Sequence, residues 1–573
     1  MIVDGIGPGR LDNCLSWRGL TALPIMFDRA SDRTRRHRTD MPNITLVHEL
    51  LHMALSRSAD RDALIHRTET LSYRALWQLI GHWRAGLLKL GLDAGDRVGV
   101  YLPKGFDTLG ALFGTAAAGG CFVPLNPLIK PFQVAHILHD CNARILVTSV
   151  ERARRLVTVL TQCPDLRQVV LVDGLPTDIA EPIRAHSVCA ADLLSDTGGG
   201  SAGHRRIDTD MAAILYTSGS TGAPKGVVLS HRNLIAGALS VAEYLENRPE
   251  DRLLAVLPLS FDYGLSQLTT AFAAGAAVVL MDYLLPTDVI RAVTHCGITG
   301  LAAVPPLWIQ VAGLDWPQAA RTSLRYLTNS GGSLPAPTLQ TLRSRLPNTR
   351  IYLMYGLTEA FRSTYLPPDQ VDARPDSIGK AIPNAEVLVV REDGSRCGPD
   401  EPGELVHRGA LVSLGYWNDP ARTRERFRPA PGQPGGLPNP ELAVWSGDQV
   451  RRDADGYLYF IGRRDEQIKT SGYRISPTEV EAVVYGSGLV AEAAAIGVPH
   501  GTLGQAILVV ATAARDHAGL ESRVIAHCRD TLPGFMVPQR VLFASDLPRN
   551  PNGKIDRRFL ASRFENYFRG ESS

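Results

Sequence analysis

The stretch AAILYTSGSTGAPKGVVLSH, from Ala212 to His231, constrains the fold more than any other part of the chain. A short apolar run, Ala212–Tyr216, reads as a buried strand, and a loop of glycines and hydroxyls rises straight out of it. Backbone N–H groups freed by Gly219 and Gly222, with the hydroxyls of Thr217, Ser218, Ser220 and Thr221, can surround phosphate oxygens. Lys225 adds a point charge. A loop of this kind needs a sheet whose strand end holds it in place, which an ordinary polar surface loop does not. A Walker A loop would have glycine just before the lysine and Ser or Thr just after it. Here Pro224 precedes Lys225 and Gly226 follows, which excludes a P-loop NTPase.

Apolar runs of strand length recur on both sides of the loop. RVGVYL (Arg97–Leu102), RILVTS (Arg144–Ser149) and QVVLVD (Gln168–Asp173) precede it; LLAVLPL, AAVVLM and GLAAVPP follow. Helical stretches alternate with them. In Tyr73–Leu90, the residues Leu76, Leu79, Ile80, Trp83 and Leu87 fall at helical spacing, and Gly91 is placed as a C-terminal cap. Such alternation predicts βαβ units and parallel sheet. TGGGSAGHRR (Thr197–Arg206) reads as a flexible linker, and the alternation resumes at AAILY as a second α/β layer. From Gly379 short strands and turns replace the helices. DADGYLYFIGR (Asp453–Arg463) reads as a hairpin with an Asp-Gly turn, and Pro429–Glu441 as a surface loop. The residues after Asp465 are expected to form a smaller α+β unit.

A chain of 573 residues is too long for one compact core. Its 60 basic and 58 acidic residues leave a formal charge of +2, which offers no footprint for nucleic acid or an anionic membrane. The eight cysteines form no CxxC pair and no zinc-ligand spacing, and read as buried reduced thiols. LGALFGTAAAGGCFVPL, from Leu109, falls short of the ~18 uninterrupted apolar residues of a membrane span and reads as a buried helix entering a strand. Residues 1–40 are charged and aperiodic, with five arginines between Arg29 and Arg38, and read as a solvated, disordered extension, Met41 being an alternative start. No basic segment followed by an apolar core marks the N-terminus, so a cytoplasmic location is expected.

YTSGSTGAPKG resembles the signature of AMP-forming adenylating enzymes: acyl-CoA synthetases, adenylation domains of peptide synthetases, and luciferases. The rest of that family's pattern follows in order: YGLTEA (Tyr355–Ala360), GELVHRGALVSLGYWNDP (Gly403–Pro420), WSGDQV (Trp445–Val450), GRRDEQIKTSGYRISPTEVE (Gly462–Glu481) and PRNPNGKIDR (Pro548–Arg557). The resemblance covers about Leu46 to Arg558. YGLTEAFRSTYLPP together with IKTSGYRISPTEVE is similar, more narrowly, to the acyl-CoA ligases associated with exosortase gene clusters. It implies an α/β protein with a large N-terminal domain (41–464) of two α/β subdomains and a small β-rich subdomain, followed by a small mobile α+β lid domain (465–573).

The resemblance also implies the chemistry. A carboxylate attacks the α-phosphate of ATP, pyrophosphate leaves, and a thiol captures the acyl adenylate. Both halves bring negative charges together, so positive charge and a metal are needed. Lys554, Glu359 and Thr217 are then the catalytic groups, with Glu359 holding Mg²⁺ against the phosphates. Thr217, Ser218, Gly219, Ser220, Thr221, Gly222 and Lys225 bind phosphate. Gly332 and Ser333 of SGGSLP, with Tyr355, Gly356 and Thr358, border the adenine; Asp448 accepts the ribose hydroxyls and Arg463 adds a contact. Asp465 matches the hinge, and Ser471, Gly472 and Tyr473 match the pantetheine tunnel. Lys554, behind a Pro-Asn-Gly turn, reads as exposed and as the mobile catalytic lysine.

The acid is less constrained. Phe261, Asp262 and Gly331 match the acyl pocket, but Asp262 stands where many acyl-CoA synthetases carry a histidine or an aromatic residue. Adenylation domains often place an aspartate there to pair with an α-amino group. A buried carboxylate needs a partner, so Asp262 implies an ammonium, a hydroxyl or an internal cation nearby. The leading reading is an acyl-CoA synthetase using ATP, Mg²⁺ and coenzyme A. The alternative is a stand-alone amino-acid adenylating enzyme that loads the phosphopantetheine of a carrier protein. A binding protein without turnover fits poorly with Lys225, Glu359, Asp448, Arg463 and Lys554 all in place.

Overall fold

A computed structural model describes residues 44–569, except 177–185, 196–201, 218–223, 464–466, 471–472, 501–502, 516–518 and 551–552. Among them lie three sheets, two in a large N-terminal part and one in a smaller C-terminal part. Helix Tyr73–Lys89 starts where the Ser72 side chain accepts from Ala75 N, and buries Leu76, Ile80, Trp83 and Leu87 as their spacing predicts. It packs on helix Phe106–Ala118, whose Gly110 makes room for the indole: a Cβ there would lie 2.3 Å from Trp83 Cδ1. That second helix runs into strand Cys121–Pro124, so the apolar stretch from Leu109 is indeed a buried helix entering a strand. No described helix is long and apolar enough to cross a membrane.

The first sheet has eight strands. Cys121–Pro124, Arg97–Tyr101, Ala143–Thr148, Gln168–Leu171 and Ser187–Cys189 pair in parallel in the manner expected of βαβ units. The strand Met211–Thr217 joins this sheet through Phe122↔Ala213 and does not begin the second layer, as its place in the sequence had suggested. It turns back on itself as a hairpin with Lys225–Ser230, and a hairpin must stay in one sheet. The second sheet instead takes Arg252–Ala255, Ala277–Leu280, Gly300–Ala303, Tyr326–Asn329 and Arg350–Tyr355, and also recruits Asp62–His66 from far upstream. Through Thr364–Leu366 and Ser377–Ala381 it continues into the antiparallel strands after Gly379, so the β-rich part extends a parallel sheet. Leu442–Arg452 and Leu458–Arg463 form the expected hairpin, with Gly456 at φ +87° in its turn.

The expected flexible linker is corrected over its described half. His204 N donates to Ala118 O and its Nε2 lies 2.8 Å from Leu92 O, while Gly203 passes so close to Ala117 O that a Cβ would clash at 2.0 Å. The chain is tied down there. Among the described cysteines, 121, 141, 163, 397 and 528 are buried free thiols, but Cys189 and Cys296 are only half-buried.

The C-terminal sheet is built on a long antiparallel pair, Val490–His500 with Gly504–Ala513, and helices Pro477–Gly486 and Leu520–Thr531 cover an apolar core of their own. Two forked ion pairs anchor its last loop. Arg557 bonds both oxygens of Glu481 (3.0 and 2.6 Å), and Arg549 both oxygens of Glu492 (2.5 and 2.7 Å). Between them the backbones of Asn550 and Lys554 pair at 2.8 Å, and Gly553 turns the chain at φ +79°.

Candidate active site

The hairpin register sets Thr217 opposite Lys225, so the two residues flanking the glycine–hydroxyl loop face each other. Ser218, Gly219, Ser220, Thr221 and Gly222, between them, lie outside the described residues. Thr217 Oγ1 is buried and has no hydrogen-bond partner among the described residues. Lys225 Nζ donates to Glu359 Oε1 at 2.9 Å and to the Tyr416 hydroxyl at 2.8 Å, and lies 4.2 Å from the Tyr416 ring centroid. Tyr416 in turn donates to the same Glu359 oxygen at 2.6 Å. It can do so because strand Gly415–Tyr416 pairs with the Lys225 strand, Tyr416 opposite Val227. Burial alone would raise the Glu359 carboxyl; the Lys225 ammonium and the Tyr416 hydroxyl overcome it and hold the group down at about 2. A carboxylate kept ionised beside an ammonium and a buried, unpartnered hydroxyl is a donor set that suits Mg²⁺ and phosphate, since Mg²⁺ takes one or two carboxylates plus phosphate oxygens.

Glu359 sits on a single 3₁₀ turn, Thr358–Ala360. The next residue, Phe361, has φ +57° and ψ −62°, and Arg362 N donates back to Ala360 O at 2.6 Å. This is a γ-turn of the rare positive-φ kind, in which a bulky residue is strained. The Phe361 ring is fully buried against helix His231–Tyr244, where Gly237 leaves the space: a Cβ there would lie 2.4 Å from the ring.

Asp448 and Arg463 are register partners on the two strands of the hairpin described above. Arg463 Nε lies 3.2 Å from Asp448 Oδ1, and the Tyr355 hydroxyl donates to Asp448 Oδ2. Burial and the Asp448 charge push the Tyr355 hydroxyl well above its ordinary range, so it stays a donor. Gly356 lies against the Arg362 backbone, 3.1 Å from where its Cβ would be. Gly332 carries a bond from Asn329 Nδ2 to its carbonyl at 3.0 Å, and Ser333 beside it is exposed. Thr358, expected to border the adenine, donates its hydroxyl to Asp262 Oδ1 at 3.1 Å.

Asp262 opens helix Asp262–Ala274 and is 5% exposed. Burial lifts its carboxyl above the ordinary range, against the opposing pull of Arg362, Lys554 and the Thr358 hydroxyl. The partner that its burial demanded is therefore a hydroxyl from the protein itself, with two cations at longer range. One of those cations, Lys554, is not the exposed side chain that its turn suggested. It is half-buried, with Cε 3.2 Å from where a Gly331 Cβ would be and Nζ 5.6 Å from the Phe261 ring centroid. Gly331, at φ +82°, leaves the space into which this lysine reaches. The structure thus brings Phe261, Asp262, Gly331, Thr358 and Lys554 together from four separate stretches. Asp465, Ser471 and Gly472 lie outside the described residues, and Tyr473 is described only as the first backbone position of strand Tyr473–Ile475.

Sequence reasoning assigned no role to Tyr416 or Arg362, though both fall inside quoted motifs. The signal for Tyr416 was its place in GYW beside an apolar strand; for Arg362 it was a lone charge among small and apolar residues after Glu359.

The family model for the AMP-binding enzyme matches residues 51–417, and that for the AMP-binding enzyme C-terminal domain matches residues 479–554. The L-proline–[L-prolyl-carrier protein] ligase of Pseudomonas fluorescens is 32% identical over 533 residues, 91% of this chain and 99% of that protein. The long-chain-fatty-acid–CoA ligase of Salmonella typhimurium is 29% identical over 89% of this chain and 93% of that protein. In fold, the chain resembles the solved structure of ATP-bound MatB from Rhodopseudomonas palustris, with a TM-score of 0.80 at 24% identity over 91% of this chain and 99% of that one.

Proposed function

The chain belongs to the AMP-binding enzyme family, and on that premise we propose that this AMP-forming ligase joins a carboxylic acid to the thiol of a phosphopantetheine arm, coenzyme A in the leading reading. In the first half-reaction a carboxylate oxygen of the acid bonds to the α-phosphorus of ATP and the bond to pyrophosphate breaks. In the second the thiol sulfur bonds to the acyl carbon, its proton is lost, and AMP leaves. The observation that carries this reading is the meeting of Lys554, from the last loop of the chain, with Gly331 and Phe261 of the large domain. A single ammonium there can sit between two anions that must approach each other, which is where preorganised charge lowers a barrier most.

Lys225 and Thr217 are the groups that would hold the phosphates. Glu359 would hold Mg²⁺, which supplies charge neutralisation at the phosphate oxygens when bound. Asp448, Arg463 and Tyr355 form a polar wall suited to ribose hydroxyls. Asp465 as hinge and Ser471–Gly472–Tyr473 as thiol path belong to the same proposal, with residues 465–573 as the lid.

A carrier protein is the second reading for the acceptor. It is supported by the prolyl-carrier protein ligase, which matches over nearly its whole length, and by Asp262, an aspartate after an aromatic residue. ATP–pyrophosphate exchange over a panel of fatty, aromatic, hydroxy and amino acids tests the first half-reaction. Release of AMP with coenzyme A or with a phosphopantetheinylated carrier protein tests the second. Exchange that depends on one class of acid is expected; no exchange with any acid would sink the proposal.

A further inference from the structure

Arg362 is the most deeply buried arginine in the described structure, at 2% exposure, and nothing in the chemistry above uses it. An arginine side chain carries five N–H donors and keeps its charge at any ordinary pH. Here one of them has a partner: Nη1 donates to Ser330 Oγ at 2.7 Å. The guanidinium lies over Tyr263 with its Cζ 4.7 Å from the ring centroid, and Nε is buried with no hydrogen-bond partner among the described residues. No carboxylate among the described residues lies within ion-pair distance of it. Its charge is felt at Asp262, but Asp262 is bonded by Thr358 and not by Arg362.

The surroundings say what lies next to this guanidinium. Ser330 immediately precedes Gly331, the glycine against which Lys554 lies. Asp262, which senses both Arg362 and Lys554, follows Phe261, whose ring lies under Lys554. The guanidinium is therefore beside the place where the acid must lie with its reacting carboxylate toward Lys554. A buried cation with unused donors costs free energy that a matching acceptor recovers. A site of this kind rejects a ligand that lacks the acceptor far more strongly than an apolar pocket rejects a missing methylene.

We propose that Arg362 is a specificity-determining residue that selects acids carrying, beyond the reacting carboxylate, a second hydrogen-bond acceptor, either a carbonyl or a second carboxylate. This rests on the adenylating function proposed above and names the class of acid it acts on. The γ-turn at Phe361 is then what aims both sides of the site, Glu359 toward phosphate and Arg362 toward the acid.

The test is pyrophosphate exchange with full-length enzyme on matched acids of three to six carbons. At five carbons the set is pentanoate against glutarate, and 2-aminopentanoate against glutamate and glutamine. The acceptor-bearing acid should win by at least about tenfold in kcat/KM in one background or both. In Arg362→Leu that ratio should fall to near one through loss on the acceptor-bearing acid alone. Arg362→Lys should keep part of the preference for a carboxylate and lose that for a carbonyl, since lysine keeps the charge without the fork. Thermal melts of each variant check folding; if the leucine variant does not fold, an unchanged ratio in Arg362→Lys overturns the proposal by itself. A parallel loss on every acid, an unchanged ratio in a folded leucine variant, or exchange confined to acids without the acceptor would also overturn it. Silence with every acid would strike the adenylating reading instead.

Discussion

The two sides of the candidate site hold their charges differently. On the side assigned to ATP, each ionised group has a protein partner at hydrogen-bonding distance: Lys225 and Tyr416 on Glu359, Tyr355 and Arg463 around Asp448. On the side assigned to the acid, Asp262 has one hydroxyl and Arg362 one hydroxyl, and the two charges do not touch. A site for a ligand common to a whole family can be wired in advance, because the ligand never changes. A site for a particular acid must leave donors and acceptors open, because the acid completes it. Lys554, arriving from the C-terminal part, lies against Gly331 and Phe261 on the second of these sides.

The strongest test of that division is Lys554 itself. Lys554→Ala should lower pyrophosphate exchange about a thousandfold, the loss expected for a charge placed where charge develops. Thioester formation from a preformed acyl adenylate should be nearly spared. Equal loss in both steps would mean that the lysine does not act between the acid and the nucleotide, and the two-sided picture would lose its centre.

Next in size is Asp448→Ala. It strips the acceptor from Tyr355 and the partner from Arg463 at once. Bonds to a charged group are worth about 1.5–3 kcal/mol, so kcat/KM for ATP should fall on the order of tenfold to a hundredfold. Selectivity among acids should not change. If it does change, the two ends are coupled and the comparison fails.

Gly237→Ala probes the turn that serves both sides. In an open helix this change is worth about 0.5–1 kcal/mol in favour of alanine. Here the new Cβ would meet the Phe361 ring at 2.4 Å, and overpacking of that kind costs about 1–3 kcal/mol. The melting temperature should drop, exchange should fall for every acid as Glu359 shifts, and it should fall furthest for the acceptor-bearing acids as Arg362 shifts with it. A stabilised variant with normal exchange would show that the γ-turn positions neither.

The same contrast explains what could be read without coordinates. The nucleotide side comes as contiguous motifs, so its residues could be named in order, and the α/β alternation made a parallel sheet legible. Sheet membership was not legible. Met211–Thr217 is pulled into the first sheet by its own hairpin, and Asp62–His66 into the second by a pairing with Val278–Leu280 more than two hundred residues away. The acid side is assembled from single residues on separate elements, and no local pattern marks them as neighbours. Asp262 announced that it needed a partner, but that the partner would be Thr358 depended on how a 3₁₀ turn meets a helix start. Lys554 looked exposed because its turn is polar; the space that Gly331 leaves open is invisible from 223 residues away.

The smallest expected effect is the sharpest on the wired side. Tyr416→Phe keeps the ring that lies 4.2 Å from Lys225 Nζ and removes only the hydroxyl that donates to Glu359. The Glu359 carboxyl stands at about 2 in the folded protein against an ordinary 4.5. A depressed carboxyl contributes stability that is fully present above pH 4.5 and is lost as pH falls toward 2. One hydrogen bond is worth about 1 kcal/mol, and one pH unit corresponds to about 1.4 kcal/mol. The titration midpoint should therefore rise from about 2 by less than one pH unit, still below 4.5 because Lys225 stays in place. The bond that Lys225 Nζ gives to the same hydroxyl is lost as well, so at pH 7 the variant should be less stable by about 2 kcal/mol in urea; the half that comes from Glu359 should stay constant down to about pH 4 and narrow only below it. The carboxyl ¹³C shift of Glu359 reports the midpoint directly. A midpoint that does not move would show that Lys225 alone holds the carboxylate, and that the hydroxyl of Tyr416 is no part of the wiring.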